Sequence, residues 1–184
     1  MRRKTKIKIK KIWKKLNEGI VGDIFYSILG IVLAYVFYKV ILAYILCTPV
    51  PIVAVISSSM QHDNPEETFY GWLEKNLGYN RSYIESWPFQ NGINVGDMPI
   101  VYGCGDYNIG DVIVYKVPGQ PAPIIHRIIK INPDNTFQTK GDNNLGQLPY
   151  ELSVKKDQIY GKVIFIIPKL GYVKLLITRI FGVM

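Results

Sequence analysis

Three short segments hold residue types that can attack, accept a proton or orient a base. Ser57-Ser58-Ser59-Met60 closes an apolar run, Ile52 to Ile56 (IVAVI). A serine hydroxyl is a poor nucleophile until a base takes its proton, and the same serines suit a plain polar turn. His126 lies in Pro123-Ile124-Ile125-His126-Arg127-Ile128, and with only two histidines in the chain a histidine base has few candidates. On a strand, Ile124, His126 and Ile128 share one face. Such partly apolar surroundings suit either a neutral proton acceptor near pH 7 or a structural histidine. Lys140-Gly141-Asp142-Asn143-Asn144 has the composition of a turn; functionally, Asp142 could orient the imidazole and stabilise its charged form. The other histidine, His62, lies three residues past Ser59, but His62-Asp63-Asn64-Pro65 has the make-up of a solvent-exposed turn.

Those segments need elements to hold them. Ile52–Ile56, Met98–Tyr102, Asp111–Val117, Ile124–Ile131, Phe137–Lys140, Ile159–Ile167 and Tyr172–Leu176 are β-branched or aromatic runs separated by Gly, Pro and Asn. Strands this short and close predict an antiparallel, mainly β domain of sandwich or barrel type. Residues 61–95 differ: they hold Asp63, Glu66, Glu67, Glu74 and Glu85 against Lys75 and Arg81, with a helical pattern over Phe69 to Leu77. This is an acidic excursion from the β core. Within it, Asn80-Arg81-Ser82 matches a glycosylation sequon, a triplet that also arises by chance.

Composition bounds the rest. With 184 residues there is room for one ordinary domain plus attachments, and 48% apolar against 20% charged residues excludes wholesale disorder. Two cysteines exclude a disulfide scaffold and a Cys-rich zinc module; Cys47 beside an apolar run and Cys104 in a Gly-rich turn are not expected to bond. The net charge of +8 is local: nine of the 22 Lys and Arg fall in residues 1–15, and the other 13 are outweighed by 14 acids. Aromatic stacking groups are scarce in that tail, which argues against nucleic acid as its partner. From Ile24 to Leu46 the chain reads IFYSILGIVLAYVFYKVILAYIL, with Lys39 its one charge. That is long enough to cross a bilayer, and too long and too lacking in a small-residue cleavage site for a removable leader. The positive-inside rule places the basic tail, residues 1–23, in the cytoplasm and residues 47–184 outside. The last stretch, Leu170 to Met184, is short for a second span; it suits an amphipathic segment resting on the membrane, or a strand of the core from Tyr172 followed by an apolar tail, 177–184.

Taken together and in order, these segments resemble the signal peptidase I family in its archaeal and endoplasmic-reticulum form. The matching residues are Ser57-Ser58-Ser59-Met60, Gly96-Asp97, Gly110 to Tyr115 (GDVIVY), Ile125-His126-Arg127-Ile128, Thr139 to Asn144 (TKGDNN) and Pro168 to Val173 (PKLGYV). The resemblance covers about residues 30–176, with 61–95 as an insertion. It implies a signal-peptidase-like antiparallel β catalytic domain over 47–176 behind one N-terminal transmembrane helix. It further implies a membrane-anchored serine endopeptidase that cleaves signal peptides from exported pre-proteins after small residues, Ala-x-Ala in type, with no cofactor and no metal.

The residue roles follow from the same match. Ser59 falls on the nucleophile and Ser57 on a side-chain oxyanion donor beside the Ser59 N–H. His126 falls on the base, where the bacterial branch has a lysine; Lys130 lies beyond the motif position. Asp142 is the expected third member, because the acid that the family places about six positions later is here Leu148; Glu151 is held in reserve. Expected partners are signal peptides, the lipid bilayer and the protein translocation machinery. A non-catalytic peptide-binding subunit of the export machinery, with the same fold, is the alternative.

Overall fold

The most buried strand of the protein is β2 (Val112–Tyr115), with every residue out of solvent. Alternation along the strand sends Val112 and Val114 into one apolar cluster and Ile113 and Tyr115 into another. A strand buried on both faces reads as a continuous apolar run, as VIVY does. Each such side chain contributes roughly 1.5–3 kcal/mol of burial, so β2 is the keel of the domain. The computed structural model describes residues 19–173 and Leu176. The basic run in residues 1–15 and the apolar tail 177–184 lie outside the described residues.

Around β2 the sheet is antiparallel throughout, in the order β1-β5-β2-β3-β4, where β1 is Met98–Tyr102, β3 Ile124–Ile131, β4 Phe137–Lys140 and β5 Ile159–Ile167. Two expected strands are corrected. Residues 52–56 form no regular strand: Val53 N–H donates to Pro99 O (3.2 Å), Val55 N–H to Asp97 O (3.0 Å) and Val101 N–H to Pro51 O (2.9 Å), leaving one bridge, Ile52 to Ile100. Pro51 and Pro99 lack the N–H groups that would complete the ladder. Tyr172 enters a helical turn rather than a strand; Lys169 in the left-handed region (φ 59°) and the Gly171 N–H to Gly96 O bond turn the chain there.

The chain divides into two units, Met1–Tyr44 and Ile45–Met184. The first holds all but the last residue of α1, Gly19–Ile45, which is long and apolar enough to cross a membrane and has a π-helical stretch at Phe37–Leu42. In the second, the acidic excursion forms a π turn (Glu66–Tyr70), α2 (Gly71–Leu77) and α3 (Arg81–Glu85). Gly78 (φ 70°) ends α2, and the Asn80 side chain caps α3 by accepting from Tyr83 N–H. Phe69, Leu73, Ile84 and Trp87 bury themselves against Ile129 of β3. Its charges stay outside: Arg81 joins Glu66 (2.6 Å) and Glu74 (2.9 Å) at the surface.

Cys47 and Cys104 are joined in a disulfide, Cα to Cα 5.3 Å, against the sequence expectation. The end of β1 explains it. Gly103 N–H donates to Leu46 O (2.8 Å), and a side chain at Gly103 would strike Cys47 O at 2.1 Å. Backbones that close bring the two thiols within bonding reach, which a sequence separation of 57 hid.

Candidate active site

Ser59 sits in a tight turn, with Gln61 N–H donating to Ser58 O (3.0 Å). The turn is anchored by Met60, which is buried in the apolar cluster with Val55, Ile93 and Val112. The Ser57 and Ser59 hydroxyl oxygens are 3.2 Å apart, and Ser59 itself is partly exposed. Ser58, between them, is exposed.

His126 stands on β3 opposite Ile113 and is buried. Its Nδ1 is held by Glu151 Oε1 in a short contact. Glu151 is fully buried in a 3₁₀ turn, Pro149–Glu151, and its Oε2 accepts the Leu148 N–H (2.5 Å). A carboxylate can only accept, so it fixes the proton on Nδ1 and leaves Nε2 as the free base. Next to the pair, Tyr115 Oη and Thr139 Oγ1 share a hydrogen bond of 2.9 Å; burial, aided by the nearby Glu151 charge, pushes the Tyr115 hydroxyl far above its ordinary range.

The two segments meet at Gly141. A Cβ there would lie 2.9 Å from His126 Nε2, 2.8 Å from Ser59 O and 2.7 Å from Asn144 Nδ2. The next residues lace the turn to the serine: Asn143 N–H donates to Ser59 O (2.9 Å) and its side-chain amide to Ser58 O (3.2 Å). Ser59, His126 and the Gly141–Asn143 turn thus share one small space.

Asp142 is placed otherwise than expected. The carboxylate on His126 belongs to Glu151; that of Asp142 is clasped by Arg127, with Nη2 at 2.7 Å and Nε at 3.0 Å, and by His62 Nε2 at 2.9 Å. Alternation on β3 explains this, since Arg127 and His126 project to opposite faces. Asp142 is fully buried, which alone would raise its pKa, but the Arg127 charge and the His62 hydrogen bond outweigh burial and hold it below the ordinary carboxylate range. His62 is also corrected: its side chain is only 7% exposed, because Phe69 of the insertion stacks on the ring at 4.7 Å.

Two further residues escaped the motif reading. Arg127 also donates to Pro88 O (2.7 Å) and Gly110 O (2.8 Å), and Phe69 lies beneath its guanidinium. Lys140 is buried, its Nζ donating to Thr68 O (2.6 Å) and Gly141 O (2.9 Å). Burial, partly offset by Asp142 and Glu151, brings its pKa down to about 8. Both lie inside the motifs; for Arg127 the signal was a charge among the isoleucines of β3, whereas Lys140, between Thr139 and Gly141, carried none.

No family model matches the chain. Among curated proteins it is similar to a signal peptidase complex catalytic subunit of Komagataella phaffii, 36% identical over 99 residues, covering 46% of this chain and 58% of that protein. The subunit of the same name from Chaetomium globosum is 29% identical over 141 residues, covering 72% of this chain and 66% of its own length. That of Schizosaccharomyces pombe is 28% identical over 154 residues, covering 79% and 76%. The chain therefore spans less than two thirds of the length of the first two relatives.

Proposed function

We propose that this chain, a homologue of the signal peptidase complex catalytic subunits, is a membrane-anchored serine endopeptidase that removes signal peptides from exported pre-proteins. The observation that carries the reading is the meeting at Gly141 of the Ser59 turn with an imidazole whose Nδ1 is held by a buried glutamate. A polar turn and a structural histidine need no such convergence.

In this mechanism His126 Nε2 takes the Ser59 Oγ proton as that oxygen attacks the scissile carbonyl. Glu151 fixes the tautomer and stabilises the imidazolium, the part first expected of Asp142. The Ser57 hydroxyl, 3.2 Å from Ser59 Oγ, and the Ser59 N–H stabilise the oxyanion, a contact worth about 3–4 kcal/mol. The imidazolium then protonates the leaving amine, and water activated by the same Nε2 hydrolyses the acyl-enzyme. An extended peptide fits beside residues 52–56, whose Val53 and Val55 N–H groups are already spent on Pro99 O of β1 and on Asp97 O just before it; alternate side chains then face small pockets, in keeping with an Ala-x-Ala preference. The α1 span confines Ser59, a short stretch past Ile45, to the membrane where signal peptides emerge. The relatives are named as subunits of a complex, and we assign this chain partners in the export machinery on that ground.

The test is cleavage of a pre-protein by the full chain in lipid vesicles, together with labelling by a fluorophosphonate serine probe. Wild type should cleave and label, and Ser59→Ala should do neither. A wild type that binds signal peptide but neither cleaves nor labels would make the chain a binding subunit instead.

A further inference from the structure

His62 has no part in the mechanism above, yet it is built into the site. It opens the insertion three residues after Ser59, its ring packed on Phe69 at 4.7 Å and its side chain 7% exposed. Its Nε2 lies 2.9 Å from Asp142 Oδ2, the oxygen that also receives Arg127 Nη2 at 2.7 Å. Asp142 is ionised and can only accept, so Nε2 carries the hydrogen and His62 is the donor.

Asp142 is the middle residue of the turn on which the two reacting groups meet. The residue before it, Gly141, leaves no room for a Cβ between His126 Nε2 and Ser59 O, which such a carbon would meet at 2.9 and 2.8 Å, and the residue after it, Asn143, donates its N–H to Ser59 O. Arg127 ties this carboxylate to β3, next to His126; His62 ties it to the segment that carries Ser59. One buried carboxylate thus cross-links three chain segments, and each of its side-chain links starts within three residues of a reacting group. Pre-organisation of this kind governs rate, since a misplacement of about 1 Å can cost on the order of 100-fold.

We infer that His62 is a positioning residue: its Nε2–H bond to Asp142 sets the distance between Ser59 and His126 and so acts on kcat rather than on substrate binding. This rests on the peptidase reading of Ser59 and His126. It gives the insertion a task in catalysis, because Phe69, which orients His62, belongs to it.

Glutamine places an amide N–H near the position of imidazole Nε2, whereas leucine fills the space with no donor. The full chain in detergent micelles would be compared as wild type, Ser59→Ala, His62→Leu and His62→Gln for kcat and KM on a pre-protein, and for hydrogen exchange at the Asn143 amide. His62→Leu should lower kcat about 100-fold with KM within about threefold, and Asn143 exchange should quicken. His62→Gln should return both to within about threefold of wild type. An active wild type beside a His62→Leu chain of normal kcat would overturn the inference and leave the peptidase reading intact, as would a folded His62→Gln chain as slow as His62→Leu. Should His62→Leu fail to fold, kcat of His62→Gln decides alone, near-normal supporting the bond and a large loss overturning it. A wild type as inert as Ser59→Ala would overturn the peptidase reading, and His62's effect on turnover with it; Asn143 exchange would then report on the tie by itself.

Discussion

Gly141 shows how little room the reacting groups have. A methyl group there would meet His126 Nε2 at 2.9 Å and Ser59 O at 2.8 Å, both closer than carbon contacts allow. Gly141→Ala should therefore lower kcat by at least about 100-fold with little change in secondary structure by circular dichroism. The two nearby carboxylates give a second test, because burial is common to both and their partners differ. Glu151→Gln keeps size but can present an N–H to Nδ1 and reverse the tautomer; turnover should fall by about three to four powers of ten with the fold retained. Asp142→Asn instead leaves the Arg127 charge buried without its counterion, a change of about 3–5 kcal/mol in stability, so its unfolding midpoint should fall along with activity. A stable Asp142→Asn chain, or a fully active Glu151→Gln chain, would reverse the two roles. Sequence could offer Ser59 and His126 as candidates because each sits in a motif of its own. It could not choose the acid, since Glu151 reaches His126 only through a 3₁₀ turn 25 residues further on, a tertiary contact with no local pattern.

Four of the five strands, β1, β3, β4 and β5, have the limits that β-branched runs set, and β2 lies inside its expected run. Such runs were legible because they are rich in β-branched and aromatic residues and bounded by Gly, Pro and Asn. Residues 52–56 carry the same pattern but lack a ladder, because Pro51 and Pro99 face each other's chain with no N–H to give. The insertion was legible as acidic and partly helical; that it packs Phe69 and Trp87 under β3 and the site was not, since burial of a short helix depends on the surface it meets. Lys140 fastens it to β4 through Thr68 O, and this gives an element-scale prediction. The folded-state pKa is about 8 against 10.5 for an open lysine. Below pH 8 both states hold the proton and the full burial cost is present; between pH 8 and 10.5 the unfolded chain binds more protons, so stability must rise with pH. Burial raises the pKa of Tyr107 and Tyr115, which reverses the trend as tyrosines ionise above pH 10. Urea unfolding of wild type should therefore show stability gaining about 2–3 kcal/mol from pH 7 to 10 relative to Lys140→Met. Parallel pH curves for the two proteins would mean that the ammonium is not buried in solution.

At the scale of the whole molecule, the disulfide and the charge of the tail bear on the same question. Nine basic residues before an apolar helix predict an N-terminus kept in the cytoplasm, and a Cys47–Cys104 bond just past that helix forms and persists where the milieu is oxidising. Both favour the proposed topology, in which residues 47–173 lie on the far side of the membrane. Since the two native cysteines are consumed in the bond, an introduced thiol reports on its own position. Ser82 is exposed in the insertion, and Thr5 lies in the basic tail. On intact cells a membrane-impermeant maleimide should label Ser82→Cys and leave Thr5→Cys unlabelled until the membrane is permeabilised. The parent chain should label only after reduction, and then at two thiols. Closing a loop of this length stabilises by about 4 kcal/mol, so reduction should also lower the unfolding midpoint of the domain. Labelling of Thr5→Cys but not Ser82→Cys on intact cells would invert the topology. It would set Ser59 on the side of the membrane that exported signal peptides have already left, and the proposed substrate would fall with it.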